Sequence, residues 1–143
     1  MILTQKETVI HKPIDFVFDY LYTLENQSEY NTSIKSASRN ETVGPLPSFT
    51  IEINFALFQL KEIYKVIEIQ KPHLFIARCD NSLLSFEDKY EFKSVEDGTF
   101  VKITDSMELK GLLRLSEGLV KNNLSEQMGA NLMRVKQILE SKP

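Results

Sequence analysis

The 143-residue chain carries a single cysteine, Cys79, so it can form neither an intrachain disulfide nor a thiolate metal cluster. Its 5 Gly and 5 Pro are too few for a disordered or low-complexity chain. No excess of positive charge exists: 17 Lys and Arg stand against 20 Asp and Glu, a formal charge of −3. Phosphate neutralisation needs concentrated Lys and Arg, so nucleic acid is not expected as a partner. A run of about 18 apolar residues is also missing, which removes stable membrane insertion from the expectations. The opening Met-Ile-Leu-Thr-Gln-Lys-Glu lacks the basic start and apolar run of a secretory signal, so a cytoplasmic location is expected. His11 and His73 sit beside prolines without a second ligand at metal spacing; no metal and no cofactor are expected. There is no Gly-rich phosphate loop, and Ser82, Ser85 and Ser94 lack a nucleophile-elbow setting. Nothing in the chain signals an oligomeric state.

What is present reads as one domain over residues 1–143. At 42% apolar and 26% charged, a chain of this length buries roughly 68–70% of its unfolded surface and needs no covalent staple. Residues 2–10 are rich in β-branched side chains and end at His11-Lys12-Pro13, which predicts a first strand. Pro13 suits the first position of a helix. Ile14, Val17, Phe18 and Leu21 then recur at helical spacing, and Asn26 with Glu29 resembles a capping box opening a second short helix through Tyr30. From Ser33 to Leu109 the pattern alternates, predicting strands at 33–43, 48–57, 60–69, 73–79, 85–94 and 99–109. Gly44-Pro45-Leu46-Pro47, Lys71-Pro72 and Glu96-Asp97-Gly98 separate some of them; the joint at Phe58-Gln59 has no turn residue. Hairpin-sized connections predict an antiparallel meander. After Gly111 the 3.6 period returns: Leu119, Val120, Leu124, Met128, Leu132, Val135 and Leu139 form one stripe of a long helix. Lys121, Asn122, Ser125, Glu126 and Gln137 lie opposite, with Arg134, Lys136 and Lys142 towards the negative C-terminal end.

A helix with one apolar stripe and a sheet with one apolar face must cover each other. The α+β solution is a curved seven-stranded antiparallel sheet wrapped around the long C-terminal helix, with the two short helices plugging one end of the gap. Large side chains fill that gap, or a ligand does.

The run Ile10-His11-Lys12-Pro13-Ile14-Asp15-Phe16-Val17-Phe18-Asp19-Tyr20-Leu21 resembles the strand–Pro–helix opening of the START/SRPBCC, or birch-pollen-allergen-like, superfamily. Glu25-Asn26-Gln27-Ser28-Glu29-Tyr30-Asn31 is similar to its short second helix, where an aromatic takes the place of Tyr30. Val66-Ile67-Glu68-Ile69-Gln70-Lys71-Pro72 and Glu96-Asp97-Gly98-Thr99-Phe100-Val101 match two further landmarks. The nearest branch is the polyketide cyclase/dehydrase and lipid-transport type. The resemblance implies the helix-grip fold and a deep apolar cavity but no single reaction, since such folds host carriers, cyclases and receptors. One departure is that the strand beginning at Phe49 has no glycines near it.

Alternation also proposes the cavity walls. Phe86, Asp88, Tyr90 and Phe92 share one face of strand 85–94, and Val101, Ile103, Asp105, Met107 and Leu109 share one face of strand 99–109. Turning these apolar faces inwards carries Asp88 and Asp105 with them. A two-residue Asp97-Gly98 turn sets Asp105 opposite Tyr90; a four-residue loop, pairing Ser94 with Thr99, sets it opposite Asp88. Either way the carboxyls are neighbours, with Cβ atoms roughly 4.5–5.5 Å apart or one diagonal further. Two desolvated carboxyls that close cannot both ionise cheaply, so one pKa should rise. Asp88, Asp105 and Tyr90 are thus the catalytic candidates. The structural alternatives are a bulge that turns one Asp outwards, neutralisation by Arg78, and a hydrated polar floor. The candidate ligand contacts are Phe55, Leu57, Tyr64, Phe86, Asp88, Tyr90, Ile103, Asp105, Met107, Met128 and Leu132, all of which also suit plain core packing. Cys79, with no helix start near it, is read as inert.

Three functions compete. The first is carriage or sensing of a small hydrophobic ligand, lipid-like or polyketide-like, in the internal cavity. The second is a cyclase, dehydratase or hydrolase using Asp88 or Asp105 with Tyr90. The third is an interaction module, whose sign would be a contiguous exposed apolar patch. The apolar inward faces with few polar groups favour the first.

Overall fold

The alternation from Ser33 to Leu109 becomes an unbroken meander because successive strands are joined by short connections and pair with their sequence neighbours. A computed structural model describes residues 1–41, 46–55 and 58–143, the side chains of Phe55 and Phe58 excepted. Its elements are β1 (Ile2–Ile10), α1 (Ile14–Tyr22), a 3-10 turn (Leu24–Asn26), α2 (Gln27–Tyr30), β2 (Ile34–Arg39), β3 (Ser48–Phe55), β4 (Phe58–Gln70), β5 (Leu74–Asp80), β6 (Leu84–Val95), β7 (Gly98–Leu109), a second 3-10 segment (Gly111–Ser116) and α3 (Glu117–Glu140). The sheet is antiparallel with strand order β1-β7-β6-β5-β4-β3-β2, so the last strand closes on the first. One curved sheet, one long helix and two short helices after β1 make the helix-grip fold.

Several local expectations are adjusted by contacts that periodicity does not see. Pro13 is extended (φ −62, ψ 151) and precedes the helix, its carbonyl accepting from Val17 N–H at 3.1 Å. Asn26 and Glu29 do not form a capping box. Asn26 Nδ2 donates to Tyr20 O at 3.0 Å, and Glu29 accepts from Tyr20 Oη at 2.7 Å, so both residues tie α2 back to α1. The joint expected at Phe58-Gln59 lies within β4, where Gln59 pairs with Asn54. Residues 42–45, which include Gly44 and Pro45 of the expected turn, fall outside the described residues.

The β6–β7 hairpin takes the register that pairs Ser94 with Thr99, and its pairing continues to Val95 and Gly98. Its two unpaired residues are therefore Glu96 and Asp97, not Asp97 and Gly98. Gly98 is needed elsewhere: a Cβ there would lie 2.2 Å from Ile10 O. The glycine serves the close approach of β1 to the hairpin, a use of Gly that a turn signal alone cannot distinguish.

Five residues of the predicted stripe (Val120, Leu124, Leu132, Val135 and Leu139) bury α3 against the sheet. Leu119 does not join them and is 54% exposed. Neighbouring residues on a helix point about 100° apart, and Val120 holds the inward position of that turn. With Leu112 and Leu115, Leu119 leaves an exposed apolar edge where the chain enters α3. The close backbone neighbours of α3 are β1, the 3-10 segment before it and α2. The backbone of α3 thus comes nearest the sheet at its β1 edge and stands further off the middle strands.

At the α1 end the interior is filled by rings. Phe75 stacks on Tyr90 with centroids 4.4 Å apart, and Phe18 meets Phe75 and Phe92 edge-on at 5.7 and 5.2 Å. Tyr22 stacks on Phe18 at 5.5 Å. Such pairs contribute beyond their buried area. Removing the central ring leaves a cavity that its rigid neighbours cannot close. Phe75→Ala should accordingly lower unfolding free energy by about 3–5 kcal/mol in urea denaturation; an unchanged midpoint would show that this plug does not hold the fold.

Candidate functional site

Beyond the aromatic plug, where α3 stands off the middle strands, the interior opens into a cavity of about 110 Å³. Typical sites for drug-sized ligands are roughly 300–1,000 Å³, so this one suits a small guest unless α3 gives way. Its floor comes from β6 and β7, one wall from β3 and β4, and its roof from α3 and α2.

Tyr64, Phe86, Asp88, Tyr90, Ile103, Asp105, Met107, Met128 and Leu132 all border this space. Of the remaining candidates, Leu57 lies outside the described residues, as does the side chain of Phe55. The cavity also takes residues that strand alternation did not nominate: Gln27 and Tyr30 from α2, Ser33 from the loop after it, Leu60 and Leu84 from strand starts, and Gln127 and Asn131 from α3. Tyr30 had a signal, since the resemblance places an aromatic there. Its inward direction depends on how α2 docks. Arg134 on α3 sets that docking: Nη1 donates to Tyr30 O at 2.8 Å and to Asn131 Oδ1 at 3.0 Å.

Asp88 and Asp105 are directly opposite each other, and the β6–β7 pairing runs without a bulge, so both face inwards. They belong to one cross-strand row, Thr4–Asp105–Asp88–Ala77–Val66. Tyr64 Oη donates to Asp88 Oδ2 from two residues along β4. Arg78 does not neutralise the pair: it is exposed and reaches Asp80 and Glu87 at 3.9 and 3.7 Å. Asp105 is 4% exposed, and burial, the neighbouring Asp88 charge and their shared hydrogen bond hold its pKa well above the usual carboxylate range. Burial also raises Asp88, opposed by its hydrogen bonds with Asp105 and Tyr64. Asp105 is therefore the acid that keeps the proton and Asp88 the acceptor.

Three buried polar atoms on the cavity lining stay unpaired among the described residues. Among the described residues, Asp105 Oδ1 and Tyr30 Oη have no hydrogen-bond partner, and Tyr30 is only 4% exposed. Ser33 Oγ, also on the lining, is unpaired as well. Unsatisfied buried polar groups are rare and call for a reason. Burial raises the phenols of Tyr30, Tyr64 and Tyr90 above their ordinary value, so all three stay neutral near pH 7. Cys79 is buried outside this cavity lining, and its thiol is pushed up to about 12, chiefly by burial. Among the described residues no three His, Cys, Asp or Glu side chains converge as a metal site. No described helix is long and apolar enough to cross a membrane.

The raised Asp105 pKa has a defined effect on stability. The folded state holds a proton that the unfolded chain releases above about pH 4, so stability falls as pH rises from there to the folded-state pKa. Asparagine imitates the protonated acid without that dependence. Asp105→Asn should therefore be more stable than wild type at pH 8, with the advantage shrinking towards pH 4; urea midpoints that stay parallel across this range would contradict the assignment.

A family model described as polyketide cyclase / dehydrase and lipid transport matches residues 1–140. Among solved structures, a protein from Thermus thermophilus aligns with a TM-score of 0.82 at 16% identity, covering 97% of both chains. A START superfamily protein from Mycobacterium smegmatis aligns at 0.80 and 12% identity over 99% of both chains. The Zhui aromatase/cyclase from Streptomyces sp. R1128 aligns at 0.74 and 7% identity, covering 97% of this chain and 91% of that one. At these identities the structures establish the shared fold. No curated protein sequence matches the chain.

Proposed function

We propose, from the premise that this chain belongs to the polyketide cyclase/dehydrase and lipid transport family, that it binds a small hydrophobic ligand in the cavity between sheet and α3. The observation that carries this reading is the division of the interior. Aromatic rings fill the α1 end, while the α3 end holds a cavity bordered by apolar side chains with a few unpaired polar atoms. Apolar walls supply affinity and isolated polar groups fix orientation. Met128 borders the cavity from the helix, and an unbranched thioether adapts to guests of different outline.

Phenylbutanol, which joins a ring, a chain and a neutral polar end, is a suitable probe. Calorimetric titration should show saturable one-to-one binding. Met128→Trp, which places an indole in the cavity, should weaken it by ~10-fold or more, the scale of a lost hydrophobic contact of ~1.5–3 kcal/mol. No binding heat, with no apolar guest retained in native mass spectrometry, would overturn the reading.

A second reading is supported by the same floor: a cyclase- or dehydratase-type reaction in which Asp105 gives a proton and Asp88 receives one. What favours it is a neutral carboxylic acid held against a carboxylate that a phenol also supports. Tyr90, the third candidate, packs on Phe75 and borders the cavity, while the phenol that donates to Asp88 is that of Tyr64. Turnover of a bound polyketide-like substrate should fall by ~100-fold or more in Asp105→Asn, the usual scale of an acid–base contribution; retained turnover removes Asp105 from this role.

A further inference from the structure

Among the described residues the cavity is bordered by acids and by no basic side chain. Asp88 and Asp105 lie opposite each other on its floor, and none of the described residues bordering it is a Lys, Arg or His. The nearest cation in the adjoining strand, Arg78, is spent on Asp80 and Glu87 at the surface. Around the carboxyls stand the rings of Tyr30, Tyr64, Phe86 and Tyr90, with Tyr64 and Phe86 edge-on at 5.7 Å. Besides Ser33 Oγ, two oxygens on the lining, Asp105 Oδ1 and Tyr30 Oη, belong to residues more than nine-tenths buried and have no partner among the described residues. Both can accept a hydrogen bond, and ring faces attract cations.

Resting on the ligand-binding reading above, we infer that the cavity selects hydrophobic amines: an apolar body against Ile103, Met107 and Leu132, and an ammonium group donating to Asp105 Oδ1 and Tyr30 Oη. An anionic amphiphile such as a fatty acid meets the opposite situation, a carboxylate pressed towards two carboxyls in a desolvated space. A neutral alcohol is accepted without preference.

Binding of a cation also moves a proton. With the cavity unliganded, Asp105 keeps its proton at neutral pH. An ammonium replaces that proton as the counter-charge, so the proton passes to solvent and amine affinity rises with pH until the pair is ionised. The other ionisable groups facing the pair are Tyr64 on β4, Cys79 on β5, Tyr90 on β6 and Tyr30 on α2, all held neutral by raised pKa values. Directly beside the pair in the sheet stand Ala77 on β5 and Thr4 on β1, neither of them ionisable. Lys6, further along β1, runs its side chain against Gly129 of α3, and no bordering residue of α3 is ionisable.

The test uses one carbon skeleton with three head groups: phenylbutylamine, phenylbutanol and phenylbutyrate, titrated into wild-type protein by calorimetry. Titrations at pH 7 in two buffers of different ionisation enthalpy count the protons exchanged. A neighbouring opposite charge typically moves an ionisation equilibrium by roughly 1–3 pK units, so the amine is expected to bind ~10-fold or more tightly than the alcohol and the butyrate most weakly. Amine binding should release up to about one proton, and alcohol binding none. The Asp88→Asn/Asp105→Asn double variant should bring the amine-to-alcohol ratio to within ~3-fold and abolish the proton release. Equal binding of amine and alcohol, or butyrate binding best, overturns the amine inference and leaves the ligand-binding reading standing. Failure of all three to bind overturns both.

Discussion

Two carboxyl groups facing each other across an apolar sheet face are the constraint around which this interior is arranged. Their position follows from the β6–β7 register, and at the hairpin's end Gly98 lets β1 approach too closely for any side chain. Desolvating two carboxylates together is untenable, so they share a proton and recruit the hydroxyl of Tyr64. Two buried acids at these positions cost stability that a well-packed apolar pair would not.

The interior divides its work by position. The end beneath α1 is solid, with Phe18, Phe75 and Phe92 meeting ring to ring. The other end lies under α3, whose backbone is nearest β1 at the sheet's edge and stands further off the middle strands. Solidity at one end lets the other remain open without loss of a defined structure. Ring packing and ligand space, which sequence reasoning treats as alternatives, coexist a few residues apart: Tyr90 stacks on Phe75 and also borders the cavity.

The sheet and its faces were legible because alternation is a local property. Asp88 and Asp105 could be placed inside from Phe86, Tyr90, Ile103 and Met107 alone, and one of two considered registers proved to be the observed one. The mistakes share a cause. Gly98 looks like a turn residue but answers to Ile10, 88 positions away in the chain. Asn26 and Glu29 have capping-box spacing but bond to Tyr20. Tyr30, Gln27 and Asn131 reach the cavity only through the docking of α2 and α3, a long-range arrangement held by Arg134. Local pattern names the faces of an element, and tertiary contact decides what those faces meet.

The fastenings of α3 are unevenly distributed. Past Asn131, Lys136 Nζ donates to Val9 O at 2.6 Å, Glu140 accepts from His11 N–H at 2.9 Å, and Leu139 is fully enclosed. Before Asn131, the ties beyond apolar packing among the described residues are a 3.8 Å ion pair from the N-terminal amine to Glu117 and a 3.1 Å hydrogen bond from Gln127 to Thr32. The rod is a cantilever, bolted at its far end and merely resting near its start. An oversized guest would therefore strain it least by lifting the resting half, and that tilt would widen the very chamber over which Leu124 and Met128 project.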